Sequence, residues 1–210
     1  LNSAEVMHDV AYQLMPFGVQ PKTVNPVFLK GDFSVDFWLN WHKPGTIMHI
    51  GKSSDEEDAQ GSTSFELSIN SENCVEARVA GATFTSDKTL PADTWTFMTL
   101  SFNAADMTFN MLAQHDTVTI NVFPNVTVPM EVVQAVGYND DNHLYLGKIF
   151  GEMHGLSLYN ICLDVRVAAA EKYLAKDNYV YGLANYWPMD EGHGTVAADT
   201  RHTHNFTVDD

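Results

Sequence analysis

Apolar and polar residues alternate along several short stretches of this chain, most regularly over residues 33–41, FSVDFWLNW. Large apolar side chains take every second position there, at Phe33, Val35, Phe37, Leu39 and Trp41. A period of two is that of a β-strand with one buried face, whereas a helix repeats every three to four residues. Trp38 is the one large apolar residue on the opposite face. The stretch therefore predicts a strand of a sheet that is covered on one side.

Similar segments recur through most of the chain and are separated mostly by short turns rich in Gly, Asn, Asp and Pro. The predicted strands are 27–29, 33–41, 46–51, 65–69, 74–79, 83–86, 94–102, 108–113, 117–122, 144–147, 154–160 and 184–189, with a short edge strand in the first 26 residues. A strand that buries one face needs a second sheet opposite it. The pattern predicts an all-β fold, an antiparallel β-sandwich of two sheets.

One segment near the C-terminal end has helical spacing instead. Asp164 suits an N-cap, and Val165, Ala169 and Tyr173 follow at helical intervals without an intervening Gly or Pro. The spacing predicts one short helix that ends near Lys176.

Length and composition favour one domain. A sandwich of about 200 residues is ordinary as a single unit, and the 45% hydrophobic content of these 210 residues supports a substantial core. We expect residues 1–210 to form a single sandwich domain. Because the segment starts with Leu1 rather than Met, we also expect it to belong to a longer chain with further domains.

The charge balance excludes some partners. The chain has 27 acidic and 11 basic residues, a formal net charge of −16 at pH 7. Such a molecule repels nucleic-acid phosphates and anionic membrane surfaces. No apolar run approaches the roughly 18–20 residues that a membrane helix needs. We therefore expect neither nucleic-acid binding nor membrane insertion of this segment.

Cys74 and Cys162 are the only cysteines, an even count that permits a disulfide without requiring one. Both lie beside strand segments, where an unpaired Cys acts as a small buried hydrophobe. We expect two free thiols.

Three pieces of the chain together resemble the laminin G-like, concanavalin A-like jelly-roll family. They are FSVDFWLNW at 33–41, LPADTWTFMTLSF at 90–102, and LYLGK at 144–148 with GEMHGLSLYNICLD at 151–164. The resemblance covers most of residues 27–199 and depends on the order of the pieces. It implies two antiparallel sheets of about six or seven strands each, and roles in adhesion or sugar binding, usually outside the cell.

A fourth piece, YWPMDEGHGT at 186–195 followed by Asp199, is similar to the sequence that opens such a domain, although here it comes last. Either residues 185–210 supply the closing strand of this sandwich, or they begin a following tandem copy. The resemblance also implies a calcium ion near the opening turn, bound here by carboxylate oxygens of Asp190 and Asp199. The family commonly adds an acid in its closing strand, where this chain has Leu156 and Ser157.

Two kinds of carbohydrate chemistry can be weighed from the residues. Retaining hydrolases of this class carry Glu-x-Asp-x-Glu on one strand face, which sets two carboxylates about 5 Å apart. The nearest match, EEDAQ at 56–60, ends in Gln and lies in a polar stretch without a strand pattern. We therefore predict no catalytic residue.

Sugar binding instead needs an exposed aromatic ring to stack on a pyranose, with amides or carboxylates nearby for the hydroxyls. Trp38 is out of phase with the core-facing residues and would share a sheet face with Asp36 and Asn40. We name Trp38 and Asn40 as candidate ligand-binding residues. The alternative for Trp38 is packing beneath a loop or helix, while Trp41, Trp95 and Trp187 fit the core.

These observations predict a non-catalytic recognition module of a secreted or cell-surface protein, which binds a glycan or an extracellular protein. Calcium is the one cofactor implied. Two other classes stay open: a glycoside hydrolase of the concanavalin A-like class, and a structural spacer domain without a ligand.

Overall fold

A computed structural model of the chain describes residues 12–14, 31–51, 63–79, 82–131, 143–147, 149–174, 176, 180–189, 196–200 and 206–207. The strands within these residues are β1 (Tyr12–Leu14), β2 (Phe33–Lys43), β3 (Gly45–Gly51), β4 (Thr63–Ile69), β5 (Cys74–Val79), β6 (Ala82–Thr89), β7 (Thr96–Asn103), β8 (Thr108–His115), β9 (Val118–Thr127), β10 (His143–Leu146), β11 (Phe150–Tyr159), β12 (Leu183–Trp187), β13 (Val196–Ala197) and β14 (Phe206–Thr207). A short helix, α1 (Val165–Ala170), follows β11.

The strands form two main sheets. The first has seven strands in the order β1-β11-β2-β7-β8-β9, with β12 also paired to β11. The second has the order β10-β3-β4-β5-β6, and within the described residues β13 pairs with β14. All of these pairings are antiparallel. The predicted two-sheet sandwich is confirmed, although the second sheet has five strands within the described residues rather than six or seven.

The core lies between the two sheets and is built by strand alternation. All five apolar residues that the pattern of β2 assigned to one face are buried in it: Phe33, Val35, Phe37, Leu39 and Trp41. Residues of the five-stranded sheet complete the same cluster, among them Ile47, Phe65, Leu67, Val75 and Ala77. Both sheets therefore bury one face against the other, as the period of two predicts.

A second, smaller cluster covers part of the outer face of the seven-stranded sheet. It joins Trp38 of β2, Phe97 of β7, Leu112 of β8 and Ala169 of α1. Trp38 and Phe97 are register partners on adjacent strands, so their side chains lie on the same face of the sheet. Trp95 is partly buried and packs against this cluster rather than in the main core between the sheets. Helix α1 thus packs across the sheet on the side opposite the main core.

Helix α1 begins where predicted and ends earlier. The Asp164 side chain caps it by accepting a hydrogen bond from the Arg166 N–H at 2.9 Å. Its last helical residue is Ala170 rather than a residue near Lys176. The side chains beyond it bind the sheet: Lys172 Nζ donates to Gln114 Oε1 at 2.8 Å, and Tyr173 stacks on Trp38. These contacts outweigh the helical propensity of an isolated segment.

The remaining sequence predictions can be compared with individual elements of the structure. Trp41 and Trp187 are buried in the core, as predicted. Strand β12 pairs with β11 in the same sheet, with Trp187 opposite Leu156. Cys74 and Cys162 are unpaired, which confirms two free thiols. The predicted strand 27–29 and the EEDAQ segment at 56–60 lie outside the described residues. Among the described residues, we found no helix with the length and hydropathy needed to span a bilayer.

Candidate functional site

Helix α1 and the residues after it leave a cavity of about 380 Å³ against the outer face of the seven-stranded sheet. Its lining includes the apolar side chains of Phe97, Ile161 and Leu163, together with Glu171 and Tyr181. Tyr181 is 83% exposed, so its ring is available to a molecule that enters from solvent. The volume lies within the roughly 300–1,000 Å³ typical of small-molecule sites.

A charged pair lines the same cavity. Lys176, in the segment after α1, donates from Nζ to Asp36 Oδ1 on β2 and to Ser157 Oγ on β11 at 2.7 Å. The Lys176 Nζ also lies 5.3 Å from the ring centroid of Tyr159 and 5.7 Å from that of Tyr186. The ammonium group therefore has a carboxylate, a hydroxyl and two aromatic rings as neighbours.

Burial is the first cause of the pKa shifts in this group. It raises the pKa of Asp36, and the charge of Lys176 acts in the opposite direction. It lowers the pKa of Lys176, which the Asp36 carboxylate in turn opposes. Burial also raises the pKa of Tyr159, so its hydroxyl stays protonated. Each ion of the pair thus depends on the other to remain charged in a low-dielectric place.

Trp38 and Asn40 lie on the same face of β2 as Asp36, as the sequence predicted, but they do not line the cavity. Trp38 is 7% exposed. It lies between Phe97 and Tyr173, with ring centroids 5.4 Å away in both cases. This is the packing that the sequence left open as the alternative, and it leaves little of the ring for a sugar. Asn40 is half-buried beside Glu152 of β11, and its ligand-binding role stays a prediction.

Asp199 is fully buried and bonded to β12. Its Oδ2 accepts from Asn185 Nδ2 at 2.8 Å, and its Oδ1 accepts from the Tyr186 N–H at 3.0 Å. Asp190, its predicted partner in binding calcium, lies outside the described residues. In the part of the chain that the structure describes, no group of three or more His, Cys, Asp or Glu residues is arranged to hold a metal ion. The calcium site stays a prediction.

Sequence reasoning identified Asp36 as a polar neighbour of Trp38 but missed the residues that surround it. Lys176 was assigned to the end of a helix, and Tyr159 and Tyr186 belong to short strands without a binding motif. The period of the strand could have predicted one part of the site. Ser157 and Tyr159 are two residues apart and therefore share a face of β11. The pairing that brings this face beside Asp36 is a property of the sheet.

No protein-family model matches this chain, and no curated protein does. Several solved structures share its fold. A protein of Bacteroides ovatus ATCC 8483, for which carbohydrate binding has been proposed, superposes with a TM-score of 0.63 at 16% identity over 94% of this chain. The chain spans 57% of the length of that protein.

Two further structures have lower scores. Tailspike protein 2 of Escherichia coli O157:H7 bacteriophage CAB120 gives a TM-score of 0.54 at 12% identity, covering 82% of this chain and 25% of the tailspike. The CBM40 domain of a Ruminococcus gnavus IT-sialidase gives 0.50 at 9% identity, covering 76% of this chain and 95% of the domain. At these identities the likeness shows the fold alone, and it agrees with the concanavalin A-like sandwich expected from the sequence.

Proposed function

We propose that this domain is a non-catalytic glycan-binding module of a secreted or cell-surface protein. The observation that carries the proposal is the cavity beside α1. Its lining combines apolar side chains with Tyr181, which is 83% exposed. An exposed aromatic ring stacks on the C–H face of a sugar, and nearby polar side chains bind its hydroxyls. Glu171 also lines the cavity, and its carboxylate can accept hydrogen bonds from those hydroxyls.

The fold supports the same proposal. The Bacteroides ovatus structure, proposed to bind carbohydrate, covers nearly all of this chain, and the sialidase domain named CBM40 is itself covered almost completely. Asp36, the buried carboxylate of the cavity, is paired with Lys176, which speaks against a catalytic role for this residue. A glycosidase instead needs one free carboxylate and a second that carries a proton.

The proposal is tested with a glycan array on the 210-residue chain, with and without a chelator. We expect binding to at least one glycan class, and Tyr181→Ala should weaken it roughly three- to tenfold, the usual effect of losing one ring contact. Phe150→Ala is the matched control, because Phe150 is an exposed aromatic residue of β11 that does not line the cavity.

The other classes give different outcomes. Silence on the array under both conditions would support a spacer domain and contradict glycan binding. Release of reducing sugar from a bound glycan would contradict the non-catalytic assignment. Loss of binding on chelation would support the calcium ion predicted at Asp190 and Asp199.

A further inference from the structure

The surroundings of Lys176 form a pocket whose walls belong to three adjacent strands. Asp36 of β2 is the register partner of Ser157 of β11, and Ser157 is the partner of Tyr186 of β12. Tyr159 follows Ser157 on the same face of β11. We call these four residues the ammonium pocket. Lys176 alone comes from outside the sheet, in the segment after α1.

We propose that the ammonium pocket is a binding site for the amino group of a 2-amino sugar, which takes the place of Lys176 when the glycan binds. This inference rests on the proposed function and names the class of glycan. A sugar ring in the cavity can reach the pocket because Asp36, Tyr159 and Lys176 all line that cavity.

The chemistry of the four residues fits a primary ammonium group. Asp36 supplies a full negative charge and Ser157 a hydroxyl oxygen, and both already accept hydrogen bonds from Lys176 Nζ. The rings of Tyr159 and Tyr186 lie within the roughly 6 Å at which an aromatic face attracts a cation. A neutral acetamido group offers one N–H and no charge, so it replaces only a small part of these interactions.

Burial of the carboxylate makes the requirement for a cation strict. The Asp36 side chain is 3% exposed and that of Lys176 17% exposed. A buried carboxylate that loses its partner ion is strongly destabilised. Exchange of one ammonium group for another avoids this state, and the displaced lysine gains hydration. The pocket therefore selects a cationic ligand over a neutral one.

The charge of the whole chain acts in the same direction. Its net charge of −16 attracts cationic glycans and repels acidic ones. The other lysine in the cavity, Lys172, is already bonded to Gln114 and lies over the ring of Tyr173. Both lysines among the described cavity residues therefore already donate hydrogen bonds, and a sugar carboxylate would compete with those acceptors.

Calorimetric titration of the wild-type chain with glucosamine, N-acetylglucosamine and Nα-acetyl-lysine amide tests the assignment. We expect glucosamine to bind about tenfold more tightly than N-acetylglucosamine. Lys176→Met should strengthen glucosamine binding further, because the internal competitor is gone. Lys172→Met is the matched control, since it removes a cavity lysine that does not contact Asp36. Asp36→Asn should abolish the preference for the amino form.

A second measurement does not depend on the stability of these variants. In the wild-type chain, NMR signals of the Lys176 side chain should move toward those of a solvent-exposed lysine as glucosamine is added. Unchanged Lys176 signals with bound glucosamine would overturn the inference. So would equal affinity for the amino and acetamido sugars, while glycan binding itself survived. Tighter binding of the lysine derivative would assign the pocket to a protein side chain instead of a sugar.

An experiment with methylammonium distinguishes failure of the ammonium pocket from failure of the glycan-binding function. Methylammonium carries the ammonium group without a sugar and should raise the melting temperature of the Lys176→Met chain in a saturable way. If methylammonium binds and no glycan does, the pocket is confirmed and the glycan-binding function fails. If neither methylammonium nor glucosamine binds, the ammonium pocket itself is overturned.

Discussion

His42 has a carboxylate oxygen at each of its two ring nitrogens. Nδ1 lies 2.6 Å from Asp93 Oδ1, and Nε2 lies 2.8 Å from Glu152 Oε2. Both nitrogens can donate only when the ring carries its second proton. The hydrogen bonds to Asp93 and then to Glu152 accordingly raise the pKa of His42 above its ordinary 6.5. One residue of β2 thereby links the loop before β7 to strand β11.

The hydrogen bonds of His42 predict the direction in which the stability of the folded chain changes with pH. Because the folded-state pKa lies above the unfolded value of 6.5, the stabilisation is fully present below that pH and is lost as the pH rises through the raised pKa. We expect the denaturant midpoint to fall over this range. The fall should be modest, since 36% of the His42 side chain is exposed.

The variant His42→Gln should have a flatter profile of midpoint against pH. His115→Gln is the control, because the Nδ1 of His115 lies 4.0 Å from Asp116 Oδ2 and the ring forms no ion pair with a second carboxylate of the described residues. Superimposable profiles for the wild type and His42→Gln would contradict the prediction.

At the scale of elements, β2 and β11 approach each other unusually closely at Gly151. A Cβ atom added there would lie 2.9 Å from the Trp41 Cα and still closer to the Asn40 carbonyl oxygen. Both contacts are with backbone atoms, which cannot rotate away. The register between the two strands also shifts at this point, between Phe150 and Gly151. Glycine therefore permits β11 to pair with β2 at this point.

We expect Gly151→Ala to destabilise the domain by about 1–3 kcal/mol, the usual cost of overpacking. Urea denaturation followed by circular dichroism would measure the change. Gly31→Ala is the matched control, because a Cβ atom at Gly31 meets nothing within 4 Å. A midpoint for Gly151→Ala equal to that of Gly31→Ala would show that β2 and β11 can separate without cost.

Helix α1 shows at the same scale how a short element organises a site. Its six residues place Ala169 against Trp38 and Phe97. The chain then leaves the helical path, and Lys172, Tyr173 and Lys176 each contact a side chain of the sheet. Residues that follow the end of α1, among them Lys172 and Lys176, line the cavity.

At the scale of the whole molecule, acidic residues far outnumber basic ones. The chain carries 27 acidic residues against 11 basic ones. Among the ion pairs of the described residues, only Lys88–Asp87 and Lys176–Asp36 join a lysine to a carboxylate, and the others involve histidine. Mutual repulsion of carboxylates opposes the compact state of such a molecule.

Screening by salt should therefore stabilise the domain. Raising the salt concentration from about 10 mM to about 150 mM shortens the Debye length from roughly 30 Å to roughly 8 Å. We expect the melting temperature to rise by roughly 2–4 °C, which corresponds to about 1 kcal/mol in a domain of this size. The double variant Asp106→Asn/Asp116→Asn removes two exposed charges and should show a smaller rise. A melting temperature that falls with salt would contradict the prediction.

The sequence by itself determined the layered architecture. Side chains of a strand alternate between two faces, so Phe33 and its partners at every second position already identify the face of β2 that enters the core. Asp164 likewise determined the start of α1, because a cap bonds to backbone groups only two or three residues away. Both predictions depend on local geometry, which a sequence pattern records directly.

The tertiary structure alone decided the site. Asp36 and Lys176 are 140 positions apart, and Asp36 and Ser157 meet only because β11 pairs with β2. Trp38 was correctly assigned to the outer face, but only the packing of Tyr173 decided that its ring is covered. Sheet pairing and the burial of one side chain by another depend on which distant segments meet, and no local period carries that information.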